Sequence, residues 1–342
     1  NILGTGFEGV LIDEGTGNRI SAGGAIQGNT DGVSVTGNDN SVSSGGIIRG
    51  VNGAGLLLTG DVNVVRSGDD GIDGIQGGTD GAVIDGNRND VSTTGAIRAA
   101  LVGPGVGLGI TGDSNTVRAS GVINGPTGHD GRATGGVIID GESNKVDIGD
   151  LGIGGGNGEG VKIGGGINSR DGNVVTSDGS IIGGLDGVEI DGDNNRVAAI
   201  GDIIGDSDAN FSGDGVDIVG TGNVVTATGD IIGDPGVIIG DGGLIPSDDN
   251  VVAAGGAIQG NGGEGVFING GTNNRVTAND FIRGDTSGAI VEGSNNAVSA
   301  GESITGVMEA GVTITGDINV VRARTNGDVG VSGGTDGVSI TC

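Results

Sequence analysis

One short pattern recurs along the whole sequence: an asparagine followed two residues later by isoleucine or valine. Successive asparagines of this pattern are 22 to 29 residues apart. A period in this range is typical of solenoids, in which each repeat buries its apolar residues against its neighbours. The pattern therefore predicts a repeat architecture built around thirteen asparagines: Asn18, Asn40, Asn63, Asn89, Asn115, Asn144, Asn173, Asn195, Asn223, Asn250, Asn274, Asn296 and Asn319.

Each repeat contains three short apolar segments separated by glycine-rich corners. In one repeat, Val188 and Ile190 alternate with acidic residues, Val197 begins a second segment and Ile203 lies in a third. Alternation with period two is typical of a β-strand with one exposed face. We therefore predict an all-β fold, a single-stranded parallel β-helix (β-solenoid) of about thirteen coils with three short strands each.

Stacking of such coils places equivalent residues above one another at ~4.8 Å, so that inward valines and isoleucines form continuous columns. We expect the asparagine to adopt the left-handed conformation of a tight corner and its amide to bond to stacked amides, forming an asparagine ladder. In ten repeats an isoleucine follows eight residues after the asparagine. In two others, Ile72 and Ile153 come one position later and are expected to take its place.

The composition restricts the class of partner. The net charge of −29 predicts repulsion of nucleic acid and of anionic membranes. No apolar stretch approaches the ~20 residues of a membrane span, so we expect no membrane insertion. Four Phe and no Tyr or Trp leave few rings for stacking on sugars or bases.

The repeat runs through the chain without a change in composition, which predicts one continuous domain over residues 1–342. The first residue is Asn1, and we interpret the sequence as a mature or excised segment. A single cysteine, Cys342, excludes an internal disulfide. High acidity with abundant Gly, Asn, Asp, Ser and Thr suggests an extracellular or cell-surface protein, secreted by a bacterium or archaeon.

The coil pattern GVxIxGxxNxV…GxIxG resembles the right-handed parallel β-helix superfamily. That superfamily has the pectate-lyase-like fold and includes polygalacturonase-like enzymes, phage tailspikes and bacterial surface adhesins with β-strand repeats. The resemblance covers essentially the whole chain and implies right-handed coils. It implies no particular activity, because one fold hosts many functions.

An enzymatic alternative rests on two motifs. Asn29-Thr30-Asp31-Gly32 and Gly68-Asp69-Asp70 resemble the motifs that supply the acid and base of polygalacturonases. That family also has Gly-His-Gly and Arg-Ile-Lys, whereas the only histidine, His129, lies in Gly-His-Asp-Gly and Arg-Ile-Lys does not occur. Thr-Asp-Gly also recurs elsewhere in the repeat. We therefore expect no catalytic residues and no cofactor for catalysis.

Carboxylates at equivalent positions of adjacent coils predict a calcium site. Asp202 is expected to stack on Asp230, and Asp206 to lie near Asp234. Like charges ~5 Å apart repel unless a cation or a raised pKa relieves them, and calcium prefers oxygen ligands. The alternative is an acidic solvent-exposed face with diffuse counterions.

Two classes of function follow. The first is a structural or adhesive extracellular protein: a β-helical rod of a surface fibre, filament, surface layer or large adhesin. Its partner would be itself, stacked end to end as a homo-oligomer or filament, together with surface glycans. The second is a polysaccharide-active β-helix enzyme, of polygalacturonase or lyase type, or a tailspike-like glycan-binding module. Regularity of the repeat favours the first class.

Overall fold

A computed structural model describes most of the chain, which divides into two compact units, Asn1–Gly179 and Ser180–Cys342. All of the described residues that form regular secondary structure lie in short β-strands. The described residues are 1–69, 71–99, 105–126, 135–164, 170–206, 213–241, 245, 247–324 and 330–341. Asp70, His129 and Cys342, which the sequence singled out, lie outside them.

The described residues of the first unit form twenty-one strands. They are β1 (Ile2–Gly4), β2 (Val10–Ile12), β3 (Arg19–Ala22), β4 (Ile26–Gly28), β5 (Val33–Thr36), β6 (Ser41–Ser44), β7 (Ile48–Gly50), β8 (Leu56–Thr59), β9 (Val64–Ser67), β10 (Asp73–Gln76), β11 (Ala82–Asp85), β12 (Asp90–Thr93), β13 (Ala96–Arg98), β14 (Val106–Thr111), β15 (Thr116–Ala119), β16 (Ile123–Asn124), β17 (Gly135–Asp140), β18 (Lys145–Ile148), β19 (Ile153–Gly154), β20 (Glu159–Ile163) and β21 (Val174–Ser177).

In the second unit, the part of the chain that the structure describes forms twenty strands. They are β22 (Ile181–Ile182), β23 (Val188–Asp191), β24 (Arg196–Ala199), β25 (Ile203–Ile204), β26 (Val216–Val219), β27 (Val224–Ala227), β28 (Ile231–Gly233), β29 (Val237–Ile239), β30 (Val251–Ala254), β31 (Ile258–Gly260), β32 (Val266–Ile268), β33 (Arg275–Ala278), β34 (Ile282–Gly284), β35 (Ala289–Glu292), β36 (Ala297–Ala300), β37 (Ile304–Gly306), β38 (Val312–Thr315), β39 (Val320–Ala323), β40 (Val331–Ser332) and β41 (Val338–Thr341).

Every third strand joins the same parallel sheet, so each unit is a β-solenoid with three sheets. Sheet A begins with β1, β4 and β7, sheet B with β2, β5 and β8, and sheet C with β3, β6 and β9; the second unit continues the pattern from β22, β23 and β24. We refer to the three corners of a coil by the sheets they join, as the A–B, B–C and C–A corners. The predicted parallel β-helix, with right-handed coils, is confirmed.

The core consists of inward columns of β-branched residues, as predicted. In sheet C of the first unit, Val42, Val65 and Val91 pair in register and are fully buried. Complete burial of each such side chain contributes ~1.5–3 kcal/mol. Valine and isoleucine suit this position because their branched side chains pack well on a pleated surface.

The prediction for Ile72 is wrong, whereas that for Ile153 is confirmed. Ile75 pairs with Ile48 and occupies the inward column, while Ile72 is 65% exposed in the preceding corner. The register shifts between Asp73 and Ile75. The C–A corner of this coil is longer than in its neighbours, so the inward isoleucine follows the asparagine by twelve residues instead of eight. Ile153 pairs with Ile123 and is buried.

The asparagine ladder is confirmed within each unit. The side-chain amide of Asn89 donates to the Oδ1 of Asn115 at 3.0 Å, and the backbone N–H of Asn89 donates to the same oxygen at 2.9 Å. The Oδ1 of Asn89 accepts the equivalent two bonds from Asn63. The eleven asparagines from Asn40 to Asn296 are at most 2% exposed. One short side chain thus satisfies buried donors in consecutive coils.

The expectation that these asparagines adopt a left-handed conformation is wrong. The left-handed residue is the one that precedes each of them, with φ between 56° and 72° at all thirteen positions. Three are glycines, and the others include Asp39, Asn194 and even the β-branched Val62 and Ile318. The asparagine is required for its amide, and the turn is made by its neighbour.

Glycine three positions before the asparagine has a separate reason. The second N–H of the Asn89 side chain donates to the carbonyl oxygen of Gly60 at 2.9 Å, so this carbonyl must face the interior of the corner. Gly60 has a φ of 122°, and a Cβ added there would overlap the carbonyl oxygen of Gly37 in the preceding coil. Only glycine allows the two backbones to approach this closely.

Candidate functional site

Acidic and amide side chains recur at all three corners, where they accept backbone N–H bonds from the next coil. In the B–C corner, the N–H of Asn87 donates to Asp61 Oδ1 at 2.8 Å, and the N–H of Asp113 donates to Asn87 Oδ1 at 2.8 Å. The N–H of Glu142 continues this row to Asp113. Aspartate and asparagine alternate in one row because either side chain supplies the required oxygen.

The A–B corner holds Asp31, the residue that resembles a polygalacturonase carboxylate. Its Oδ1 accepts the N–H of Ala54 at 2.7 Å, and Asp80 accepts the N–H of Val106 in the same way at 2.9 Å. Burial raises the pKa of Asp31, with smaller contributions from the charges of Glu8 and Asp80, while the bond from Ala54 lowers it. Asp31 therefore has a structural partner in the next coil.

The structure does not bring the two enzyme-like motifs together. Asp31 follows β4 in an A–B corner, whereas Asp69 follows β9 in a C–A corner of the next coil, where its Oδ1 accepts the N–H of Gly71 at 3.3 Å. Two carboxylates that act on one glycosidic bond must flank it, as the general acid and base of a glycosidase do. Two different corners of the solenoid do not provide that arrangement.

The C–A corner of the second unit holds the predicted stack of Asp202 and Asp230. The N–H of Asp230 donates to Asp202 Oδ1 at 2.9 Å, so the two residues are direct neighbours, as expected. Asp230 in turn accepts the N–H of Ala257 at 2.7 Å. At the equivalent position in the preceding coil, the hydroxyl oxygen of Ser180 accepts the N–H of Asp202 at 3.1 Å.

Asp206 and Asp234 lie in A–B corners of the same unit. The backbone N–H of Asp206 donates to the carbonyl of Leu185, and that of Asp234 donates to Gly213, both at 2.8 Å. Burial is the largest cause of a raised pKa at Asp234, followed by the charges of Glu264 and Asp285. Asp202 and Asp230 are therefore in one corner of the coil and Asp206 and Asp234 in another.

Asp214 is the most strongly perturbed carboxyl group. Its pKa is raised from 3.8 to about 8, first by burial and then, in decreasing order, by the charges of Asp186, Asp217, Asp234 and Glu189. The N–H of Asp214 also donates to Asp186 Oδ1 at 2.7 Å. The surrounding carboxylates thus favour the protonated form of Asp214 near neutral pH.

The calcium site remains a prediction. Across the described ranges, the structure groups no three His, Cys, Asp or Glu side chains in a way that would hold a metal ion. Melting of the protein in calcium and in chelator tests the prediction directly. A melting temperature that falls in chelator, and does so less in Asp202→Asn, supports calcium at this stack, whereas identical melting in both solutions removes it.

Comparison with known protein families, with curated proteins and with solved structures finds no match for this chain. Within the part of the chain that the structure describes, no helix has the length and apolarity needed to cross a membrane. The strand pairing establishes the β-solenoid fold, and the corners reveal a structural use of acidic residues that the sequence alone did not indicate.

Proposed function

We propose that this chain is a structural or adhesive segment of an extracellular assembly: a bacterial or archaeal surface fibre, filament, surface layer or large adhesin. We also propose that it belongs to the right-handed β-helix superfamily and that it extends by stacking further coils, or a second copy of itself, onto its end coils. Surface glycans are proposed as additional partners. A solenoid suits this role because each coil contacts only its neighbours, so length can increase without a change of fold.

The observation that carries this proposal is the register in which each coil covers the inward residues of the coil before it. In β41, Val338 is 52% exposed and Ile340 is 64% exposed, and the residues of their columns become more buried in the preceding coils. Val312, the register partner of Val338 in the preceding coil, is 1% exposed. A further coil placed on β41 would cover these side chains in the same way that β41 covers Val312 of β38. Burial of apolar side chains is favourable, so this contact favours association.

The backbone of β41 supports the same conclusion. The N–H of Val312 donates to Gly337 in the next coil, and Val338 is the register equivalent of Val312. By this repeat, the N–H of Val338 points to the side on which a further coil would stack. Unpaired strand edges are templates for pairing with another chain. At the other edge, the N–H of Val10 donates to Gly32 in the next coil, so β2 follows the same rule.

Val338→Pro tests the proposal. Proline is tolerated at the first residue of a strand and removes the N–H that would bond to an added coil. We expect wild-type protein to form end-on multimers that grow with concentration in analytical ultracentrifugation and negative-stain electron microscopy. Val338→Pro should shift the distribution toward monomer, while Ser339→Ala, whose side chain faces outward, should not.

Wild-type protein that stays monomeric at every concentration, with an intact β-sheet circular dichroism spectrum, would contradict the proposal. Multimers that form equally in wild type and Val338→Pro would show that association uses another surface, and would also count against stacking on β41.

A further inference from the structure

Three arginines surround a groove on the outer face of sheet C in the second unit. Arg275 lies in β33, Arg322 lies in β39 and Arg324 follows β39. The groove has a volume of about 550 Å³, and its floor contains Thr277, Ser299 and other small residues of β33 and β36. Arg322 pairs in register with Ser299, which pairs with Thr277, so these three side chains cross adjacent strands in one row.

Among the described residues, these guanidinium groups have no carboxylate partner. No ion pair within 4.0 Å forms between them and any of the described residues, including Asp280 and Glu302 in the neighbouring C–A corner. In the corresponding face of the first unit, Asp90 lies 3.2 Å from Arg118 and 3.6 Å from Arg66. Arg66 and Arg118 of the first unit thus share one carboxylate, whereas no described carboxylate lies within ion-pair distance of the groove arginines.

The whole outer face of sheet C in this unit lacks acidic residues. Each four-residue strand presents its first and third side chains outward, and none of these is Asp or Glu in a chain that contains 44 acidic residues. The outward residues are Arg196, Ala198, Val224, Thr226, Val251, Ala253, Arg275, Thr277, Ala297, Ser299, Val320 and Arg322. The groove is therefore a local positive region in a protein of net charge −29.

We propose that this groove binds a small anion that carries two or more oxyanion groups, such as a di- or tricarboxylate or a phosphate ester. Guanidinium groups recognise carboxylate and phosphate oxygens through paired N–H donors, and they remain charged at any physiological pH. The hydroxyl groups of Thr277 and Ser299 add donors on the floor. The small side chains between the arginines leave room for the ligand.

Charge favours a small ligand over a long polyanion or a second copy of the chain. The register places Arg275 and Arg322 two strands and two residues apart, which is ~12 Å between Cα atoms. A compact anion lies within reach of these arginines alone. A polymer or a second copy would extend beyond the groove over the acidic corners, where the net charge of −29 repels it. The inference is independent of the proposed end-on assembly.

The test is isothermal titration calorimetry of the chain with citrate, inorganic phosphate and polyglutamate at ~0.15 M salt, where screening limits diffuse attraction. We expect saturable binding of one citrate per chain and weaker binding of phosphate. Arg322→Gln should weaken citrate binding at least about tenfold, because a charge-assisted bond is lost. Arg196→Gln, on the same face outside the groove, should leave binding unchanged.

A second variant keeps all three arginines and adds a carboxylate that competes with the anion for Arg322. Ala297 occupies the same position relative to Arg322 as Asp90 does relative to Arg118, namely the preceding strand and two residues earlier in register. Ala297→Asp should therefore create an ion pair like the one between Asp90 and Arg118. It should weaken citrate binding about as much as Arg322→Gln, with an unchanged melting temperature. Equal citrate affinity in wild type, Arg322→Gln and Ala297→Asp would overturn the proposal, as would non-saturable binding or tighter binding of polyglutamate than of citrate.

Discussion

Each ladder asparagine uses one amide to join three consecutive coils. Asn89 donates to Asn115 in the next coil, accepts from Asn63 in the preceding coil, and also donates to the carbonyl of Gly60. The bonds to Asn63 and Asn115 are buried, so no water replaces a partner lost there, and the bond to Gly60 is half-buried. Hydrogen bonding therefore fixes the side chain. Only asparagine and glutamine carry two amide donors together with an acceptor oxygen, and glutamine is longer by one methylene group.

Replacement of one ladder asparagine tests this role. Asn89→Ala should lower the free energy of unfolding by about 3 kcal/mol, because it leaves the buried Asn63 N–H and the half-buried Gly60 carbonyl without their amide partners. Asn52→Ala removes an exposed asparagine that also bonds between coils and should cost at most about 0.5 kcal/mol. Urea denaturation measures both values, and equal losses would contradict the ladder account.

The left-handed position before the asparagine predicts a stabilising substitution. Val62 has a φ of 61°, a region that β-branched residues rarely occupy, whereas asparagine adopts it readily. Val62→Asn should therefore raise the free energy of unfolding by about 1 kcal/mol. Val64→Asn, two residues on in strand β9, should lower it, since asparagine is unfavourable in a strand. The opposite sign for either variant would contradict this assignment.

At the residue scale, the sequence predicted which residues stack but not which residue turns the chain. Periodicity identifies Asn63 and Val65, because both recur without exception. It does not identify Val62 as left-handed, because valine and isoleucine are poor residues for that conformation. The strain is local and is offset by the hydrogen bonds of the ladder, which extend over several coils.

At the scale of strands and corners, acidic residues cap backbone N–H groups of the next coil. Asp31, Asp61 and Asp202 each do so in a different corner. The sequence suggested a catalytic role for Asp31 and a calcium site for Asp202. It did not predict their hydrogen bonds to backbone N–H groups, because the donor lies in the next coil, more than 20 residues away along the chain. Asn87 and Ser180 occupy equivalent positions in other coils. Because these side chains are uncharged, they indicate that the position requires an acceptor oxygen and not a negative charge.

The cluster around Asp214 makes stability depend on pH. The folded pKa of about 8 lies above the ordinary 3.8, so the protonated form is preferred in the folded state. The stabilising contribution is complete below pH ~4 and is lost as the pH rises through about 8. We therefore expect a higher melting temperature at pH 5 than at pH 9.

Asp214→Asn should reduce this difference in melting temperature, because asparagine has no proton to lose in that range. Asp317→Asn, at an exposed corner of the same unit, serves as the control and should keep the wild-type profile. A melting temperature of the wild type that is the same at pH 5 and pH 9, or a profile that Asp214→Asn leaves unchanged, would contradict the assignment.

The corner before β10 shows how an insertion limits prediction at this scale. In other coils the buried isoleucine lies eight or nine residues after the asparagine. The isoleucine nearest to that distance from Asn63 is Ile72, whereas Ile75 occupies the buried column. The count fails because extra residues in a corner do not disturb the hydrogen bonds of the strands on either side. The column itself was predicted correctly, since an inward isoleucine is present in the coil.

For the molecule as a whole, the fold followed from the sequence because one periodic pattern specifies every coil. The candidate sites did not follow in the same way. The arginines of the groove became apparent only when the strand register showed that Ala297 stands beside Arg322 at the position where Asp90 stands beside Arg118. Sequence distance gives no such information, because Asp90 and Arg118 are 28 residues apart.

Buried asparagine amides link the coils in register. Hydrogen exchange of the asparagine side-chain N–H₂ groups, followed by ¹⁵N NMR, measures whether these amides are protected from water. We predict that the side chains from Asn40 to Asn296 in the ladder exchange as slowly as strand amides, whereas Asn52 exchanges quickly at the surface. Ladder side chains that exchange as fast as Asn52 in the folded protein would contradict the account.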